Sequence, residues 1–480
     1  MSSDPSSSSA AVPRSGSGSV SGPGSGDAAA ASGAAASGSG GDAARVSPSS
    51  SSRASGGVPA EAAASFPAGG LLWSAPVLWA AFVVVHVVVS LGVIYAPNTP
   101  LNDVTGVYLG WMQQALAGGP VVGIDAVWVY PVAALVPMAI PLLGGTSAVG
   151  YGFAWLVLVA VLDAAAFAVL LCSAQRGTRT RARCLAAWWW LAFLVLFGVI
   201  GVARLDALTA SLSLIAMLIA VNRPIVASVL LAVATWIKIW PAAILAAAFI
   251  VLRTRWRVAA AAAGTSVVIV AAALVAGSGP RVFSFITEQT GRGIQIESPI
   301  AVPYLWATSF GTPGFATYFD REILTFQLTG TGAGVVSTLM TPLLVVALAV
   351  VAWFGWRATR AGASAVRLFP QVALALVLVF IVFNKVGSPQ YLSWLIAPVA
   401  ALIVVGGRRA PLLAGLALLV AAMTQIIYPY YYDALVQTQT WMVLLITLRN
   451  AGLAVMLVIV AVEIWRAGSE ARASAPHASA

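Results

Sequence analysis

From Leu71 to Ala467 the chain alternates nearly uncharged apolar runs with short polar breaks, many of them carrying arginine. A helix rises 1.5 Å per residue, so roughly 20 apolar residues cross ~30 Å of hydrocarbon. Read this way, the pattern predicts helices near 71–95, 148–173, 185–203, 205–221, 224–238, 240–252, 258–276, 335–356, 368–386, 391–407, 411–428 and 441–465. The expected fold is therefore an all-α polytopic membrane protein with about twelve transmembrane helices. One further apolar stretch, Val132 to Leu143, is short and broken by Pro137 and Pro141 after an opening Pro131. It reads as a membrane-embedded helix of a long outer loop, about 96–147. A second long outer segment covers about 277–334.

Residues 1–66 break the pattern. They are mostly Ser, Gly, Ala and Pro, a composition that cannot bury enough apolar surface to offset chain entropy. They also lack the basic start and apolar core of a secretory signal, so the Leu71 run is expected to be a retained first span. The expected organisation is a disordered cytoplasmic tail over 1–66, a membrane domain over 67–467, and a short disordered C-terminus over 468–480.

Composition supports this reading. Apolar residues make up 60% of the 480 positions and charged residues 8%, against roughly a quarter charged in soluble domains. The net charge of +10 lies in loop arginines and predicts orientation rather than nucleic-acid binding. With both termini cytoplasmic, eighteen of the 25 Lys and Arg fall inside, Arg176 and Arg179 among them. The expected location is the plasma membrane, with membrane lipids as surroundings. Cys172 and Cys184 have no metal-ligand spacing and read as inert.

The acidic residues carry chemical information. Asp103, Asp125, Asp163, Asp206, Glu288, Glu297, Asp320, Glu322 and Asp433 fall on or toward the outer half. Membrane-level charges mark function by default. Asp103 reads either as a helix cap or as a general base for an acceptor hydroxyl. Only two lysines occur, Lys238 and Lys385, and both lie at outer helix ends against the positive-inside bias. Each reads either as a snorkelling side chain or as a phosphate ligand. Arg204-Leu205-Asp206 reads as a local ion pair or as part of a site. In Gly291-Arg292-Gly293-Ile294-Gln295-Ile296-Glu297-Ser298-Pro299, the glycines admit a ligand close to the backbone and Arg292 offers a fork for phosphate. His86 reads as a satisfied packing residue, and Tyr428, Tyr430, Tyr431 and Tyr432 as an interfacial belt. The sequence presents no nucleotide-binding loop and no metal-ligand cluster, so neither a cofactor nor a metal is expected.

Taken in order, several segments resemble the GT-C superfamily of membrane glycosyltransferases, and within it glycosyltransferase family 87. They are Asp103, Trp128-Val129-Tyr130-Pro131, Arg204-Leu205-Asp206, Lys238-Ile239-Trp240-Pro241, Arg292 to Pro299, and Ser388-Pro389-Gln390-Tyr391 with Trp394. Val132 departs from the family pattern, which has a second proline there. The resemblance implies an alpha-mannosyltransferase of lipoglycan assembly in the cell envelope. Its donor would be a polyprenyl-phosphate sugar, its acceptor a glycolipid, and its transfer inverting, on the extracytoplasmic face. On this reading Asp103 is the base, and Lys238, Lys385, Arg292 and Arg204 bind the donor phosphate. Asp206, Gln295, Glu297, Gln390, Tyr391 and Tyr130 then position sugar or acceptor. The competing expectation is a transporter or flippase of lipid-linked glycans, disfavoured by the missing internal repeat and the one-sided polar residues.

Overall fold

The computed structural model describes residues 70–172, 181–288, 291–321 and 323–474. The N-terminal tail, Arg176, Arg179, Glu322 and the last six residues lie outside the described residues. The chain enters the bundle with α1 (Ala75–Tyr95), whose first turn contains Pro76. The first long loop follows. It holds α2 (Leu109–Leu116), α3 (Leu135–Ala139) and a 3-10 turn at Ile140–Gly144. Ser147 then caps α4 (Ala148–Leu171), accepting the Gly150 amide at 3.1 Å.

Next come α5 (Arg181–Phe197), α6 (Leu205–Ile219), α7 (Pro224–Ile237), α8 (Ala242–Val251) and α9 (Arg255–Val275). The second long loop contains α10 (Ser284–Thr287), β1 (Ile294–Gln295), α11 (Val302–Ser309), β2 (Ala316–Asp320) and β3 (Thr325–Thr329). The bundle closes with α12 (Ala333–Arg360), α13 (Ala365–Val382), α14 (Ile396–Val405), α15 (Ala410–Gln425), the short α16 (Tyr432–Val436) and α17 (Thr440–Ala473).

The protein is an all-α polytopic membrane protein, and each of the twelve segments expected from apolar patterning contains a helix. Among the described residues, eight helices are long and apolar enough to cross a membrane. The other four, α6, α7, α8 and α14, have 15, 14, 10 and 10 residues. Ten residues cover about 15 Å, half the hydrocarbon thickness. Irregular backbone at Lys238–Pro241 and a 3-10 segment at Pro389–Leu395 sit at the ends of these short helices. Such backbone is tolerated at membrane depth where it is buried in protein. Trp240, Leu392, Trp394 and Leu395 are all buried there.

Two local features differ from expectation. The second loop carries a three-stranded antiparallel sheet ordered β1-β3-β2, with Gln295 opposite Gln327 and Tyr318 also opposite Gln327. Its hairpin sequence, rich in Thr, Phe and Tyr, has the propensity for strands. At the C-terminus, α17 continues to Ala473, six residues past the expected end of the membrane domain. The stretch after Pro131 is helical and broken as expected, into Val132–Ala134, α3 with Pro137 inside it, and Ile140–Gly144. It packs on α4, where Gly144 meets Gly150 so closely that a Cβ on Gly144 would lie 2.3 Å from the Gly150 carbonyl oxygen.

Within the bundle His86 is buried. Its Nδ1 lies 2.9 Å from the Phe82 carbonyl oxygen and its Nε2 lies 3.0 Å from Asp163 Oδ2, while Ser211 donates to the other oxygen of that carboxylate. The histidine is the satisfied packing residue expected, and Asp163 is its partner, not an outward carboxylate. Asp163→Ala would orphan both His86 and Ser211 and is expected to cost about 1–3 kcal/mol, measured as a lower Tm of the purified protein.

Candidate active site

The loops at one end of the bundle hold every candidate functional residue. Asp103 opens a π-helical turn, Asp103–Tyr108, that leads into α2. No helix-cap hydrogen bond is made by the residue that precedes it, and its own carboxylate is engaged elsewhere. Arg204 Nε lies 2.8 Å from Asp103 Oδ2, and the same guanidinium donates to the carbonyls of Pro100 and Ala203. Arg204 therefore pairs with Asp103 and not with its sequence neighbour Asp206. The Asp103 side chain keeps 40% of its surface exposed, while that of Arg204 keeps 10%. One face of the carboxylate is thus held and the other is open.

That open face looks into a cavity of about 230 Å³ lined by Asp103, Arg204, Gln295, Glu297, Thr325, Ser388, Tyr428 and Tyr432. Glu297 is buried, and its Oε2 has no hydrogen-bond partner among the described residues. Its backbone carbonyl accepts from Arg449 at 3.2 Å, and its carboxylate lies 3.9 Å from that guanidinium. Burial pushes the Glu297 carboxyl up to about 7, against the opposing pull of Arg449, Tyr432 and Arg204.

A second cavity, of about 670 Å³, adjoins the first. Arg292 and Lys385 line it with Gly291, Gly293, Tyr318, Ser337, Thr338 and Thr341. β1 forms the partition: Ile294 faces this cavity and Gln295 the other. The Gln295 amide donates to the Lys385 carbonyl at 3.0 Å, joining the Arg292 segment to the loop after α13. Gly387 makes this junction possible. A Cβ there would lie 2.2 Å from the Ser298 nitrogen and 2.4 Å from the Glu297 carbonyl carbon, backbone atoms that have no rotamer by which to yield.

Lys238 stands apart from Lys385. Its Nζ lies 2.6 Å from Asp206 Oδ2 and 5.3 Å from the Tyr130 ring centroid. The other Asp206 oxygen accepts from Trp394 Nε1 at 2.6 Å. Trp394 stacks between Tyr391 and Trp240, with centroids 4.2 and 5.5 Å away, and Trp240 donates to Thr209 at 3.0 Å. Asp206 and Lys238 thus form a buried, neutral pair enclosed by aromatic rings, and they line neither of the two cavities. Gln390 and Tyr391 also lie outside both linings, and Gln390 Oε1 is buried without a partner among the described residues.

The sequence reading assigned Tyr428 and Tyr432 to an interfacial belt, whereas both line the Asp103 cavity. Arg449 is the buried partner of Glu297 on the α17 side of the site. The signal that could have found it is an arginine within the apolar run of residues 441–465, because a charge at that depth needs a partner. Among the described residues, no three His, Cys, Asp or Glu side chains converge as a metal site would require.

The Glu297 shift has a thermodynamic consequence. A carboxyl raised from 4.5 to about 7 on folding contributes stability below pH 4.5, which is lost progressively as pH rises to about 7. Relative to Glu297→Gln, which has no charge to bury, the wild-type Tm is expected to fall across this window and then level off. Parallel Tm curves for the two proteins from pH 4.5 to 8 would contradict the shift.

Residues 128–368 match the sequence pattern of glycosyltransferase family 87. The match spans Arg204, Asp206, Lys238, Arg292, Gln295 and Glu297, and leaves Asp103 and Lys385 to either side. No curated protein matches the chain. With half of its length in that match and its polar residues gathered at one end of a membrane bundle, the chain belongs to glycosyltransferase family 87.

Proposed function

We propose that this membrane glycosyltransferase moves a hexose, mannose on the family resemblance, from a polyprenyl-phosphate donor to a hydroxyl of a glycolipid, with inversion. The observation that carries the assignment of base and phosphate site is the division of the site by β1. A half-open carboxylate, Asp103, lines one cavity, and two cations, Arg292 and Lys385, line its neighbour.

Inverting transfer needs one base and stabilisation of one leaving group. The acceptor oxygen attacks the anomeric carbon, its proton passes to Asp103, and the bond from that carbon to the phosphate oxygen breaks as the polyprenyl phosphate departs. Positive charge fixed beside the phosphate lowers the barrier because it strengthens as the leaving group gains charge. Arg292 supplies a planar fork and Lys385 a point charge, both suited to phosphate. Ser337, Thr338 and Thr341 bring α12 to the same cavity, beside exposed apolar side chains such as Leu339 and Leu343 that suit a lipid chain.

Arg204 is committed to Asp103, so we assign it to aiming the base and not to the phosphate. Lys238 is neutralised by Asp206, and we assign that pair to anchoring Trp394 and, through it, the segment whose Ser388 and Pro389 line the Asp103 cavity. Gln295 and Glu297 lie on the acceptor side of the partition, where Glu297 has an unused oxygen for a hydroxyl.

The test is transfer of labelled mannose from synthetic polyprenyl-phosphate mannose to a membrane glycolipid extract by purified protein. Asp103→Asn is expected to lower kcat by about 10²–10⁴-fold, the usual worth of a general base, measured on folded protein because Arg204 loses its counter-charge. Wild-type rates in that variant would remove the base assignment. Movement of the lipid-linked sugar across liposomes without product would replace the enzyme by a transporter. In Arg292→Met/Lys385→Met, loss is expected in donor KM and kcat, with acceptor KM unchanged. Unaltered donor kinetics would remove the phosphate site.

A further inference from the structure

At the end of the bundle away from Asp103, a cavity of about 420 Å³ opens between the start of α13, the loop joining α14 to α15, and the last turns of α17. Arg367, Arg408 and Arg466 line it, one from each element. Arg409 of the same loop lies 3.9 Å from Glu463, and Arg466 lies 4.0 Å from that carboxylate. Glu463 is thereby neutralised. Glu470 is the other acid in the lining, so three lining arginines, with Arg409 beside them, meet two carboxylates and positive charge is in excess. Among the described residues, the side chains of Arg367 and Arg408 make no hydrogen bond or ion pair.

Arginines that only set orientation need no concavity around them, and here they surround one. The depth of the cavity is fixed by tryptophan. Trp353, Trp356 and Trp465 are each between 41% and 48% exposed near the same ends of α12 and α17, as in the aromatic belt at a membrane boundary. Arg357 stacks on Trp465 at 3.7 Å and Arg360 lies over Trp356 at 5.2 Å. Val366 and Val462, each next to a lining residue in sequence, and Leu412, one turn beyond Arg408, expose apolar surface.

We infer that this cavity is a binding site for the headgroup of an anionic glycerophospholipid. Its phosphate is held by Arg367 and Arg408, and its chains lie along the neighbouring apolar surface. Basic pockets between membrane helices recognise such headgroups through charge and arginine geometry. A soluble phosphate shares the chemistry of the headgroup but gains nothing from the apolar surface. The site lies at the other end of the bundle from the proposed transfer reaction and does not depend on it.

The experiment uses delipidated full-length protein and compares wild type with Arg367→Gln/Arg408→Gln. Arg466 is left in place because it holds Glu463. Phosphatidylglycerol, phosphatidylcholine or inorganic phosphate is added, and both Tm and retained lipid by native mass measurement are recorded. Phosphatidylglycerol is expected to raise the wild-type Tm and to be retained, with affinity about tenfold or more weaker in the variant. Phosphatidylcholine should affect both proteins equally. Equal phosphatidylglycerol retention in the two proteins would overturn the site. A Tm rise with inorganic phosphate matching that with phosphatidylglycerol would overturn its lipid character. Should the double variant fail to fold, the single Arg408→Gln change on the exposed loop gives the same comparison.

Discussion

Hydrocarbon offers no partner for a hydrogen bond, so each polar atom that enters it must be satisfied by the protein. That constraint shapes this structure. It makes the backbone helical through every long crossing and drives charged groups to the two ends of the bundle. Where a charge stays inside, it is paired: Asp163 with His86 and Ser211, Asp206 with Lys238 and Trp394, and Arg449 with Glu297. Removing one member of such a pair leaves a costly buried charge, so the pairs also fix which helices can be neighbours. Asp163 ties α4 to α1 and α6, and Asp206 ties α6 to the break after α7 and to the segment before α14.

The site is built where the crossings are interrupted. A ten-residue helix covers half the hydrocarbon, and at the ends of α7 and α13 the freed backbone turns into the loops that carry Lys238 and Lys385. The short sheet then works as a partition. β1 separates the cavity holding Asp103 from the cavity holding Arg292 and Lys385, and its hydrogen bond to the Lys385 carbonyl keeps the two cavities adjacent. Asp103 is already paired with Arg204 inside the first cavity, and the strand lies between that pair and the two cations, Arg292 and Lys385, that line the second.

Several parts of this arrangement were legible in the chain. Apolar runs located the twelve helical segments because burial in lipid leaves little room for charge. Pro131, Pro137 and Pro141 marked the broken outer helix, and the glycines around Arg292 marked a segment of close backbone approach. The sheet was legible too, in the Thr, Phe and Tyr of residues 315–329, yet the surrounding helical signal overrode it. Arg449 lies inside the apolar run of α17, and its partner Glu297 comes from the second long loop, which sequence separation does not show.

What the sequence determined by itself is what local chemistry decides: membrane crossing and where along the chain the helical segments lie. Pairing lay beyond it. Arg204 and Asp206 are two residues apart and looked like an ion pair, but at the start of α6 their side chains point to different neighbours. Arg204 meets Asp103 from the first loop, and Asp206 meets Lys238 and Trp394. The two lysines looked alike, yet one is neutralised inside an aromatic cage and the other lines a cavity. Only the tertiary structure decided these outcomes, because a charge takes its partner from whatever the packed helices bring within about 3–4 Å, and that distance bears no relation to separation along the chain.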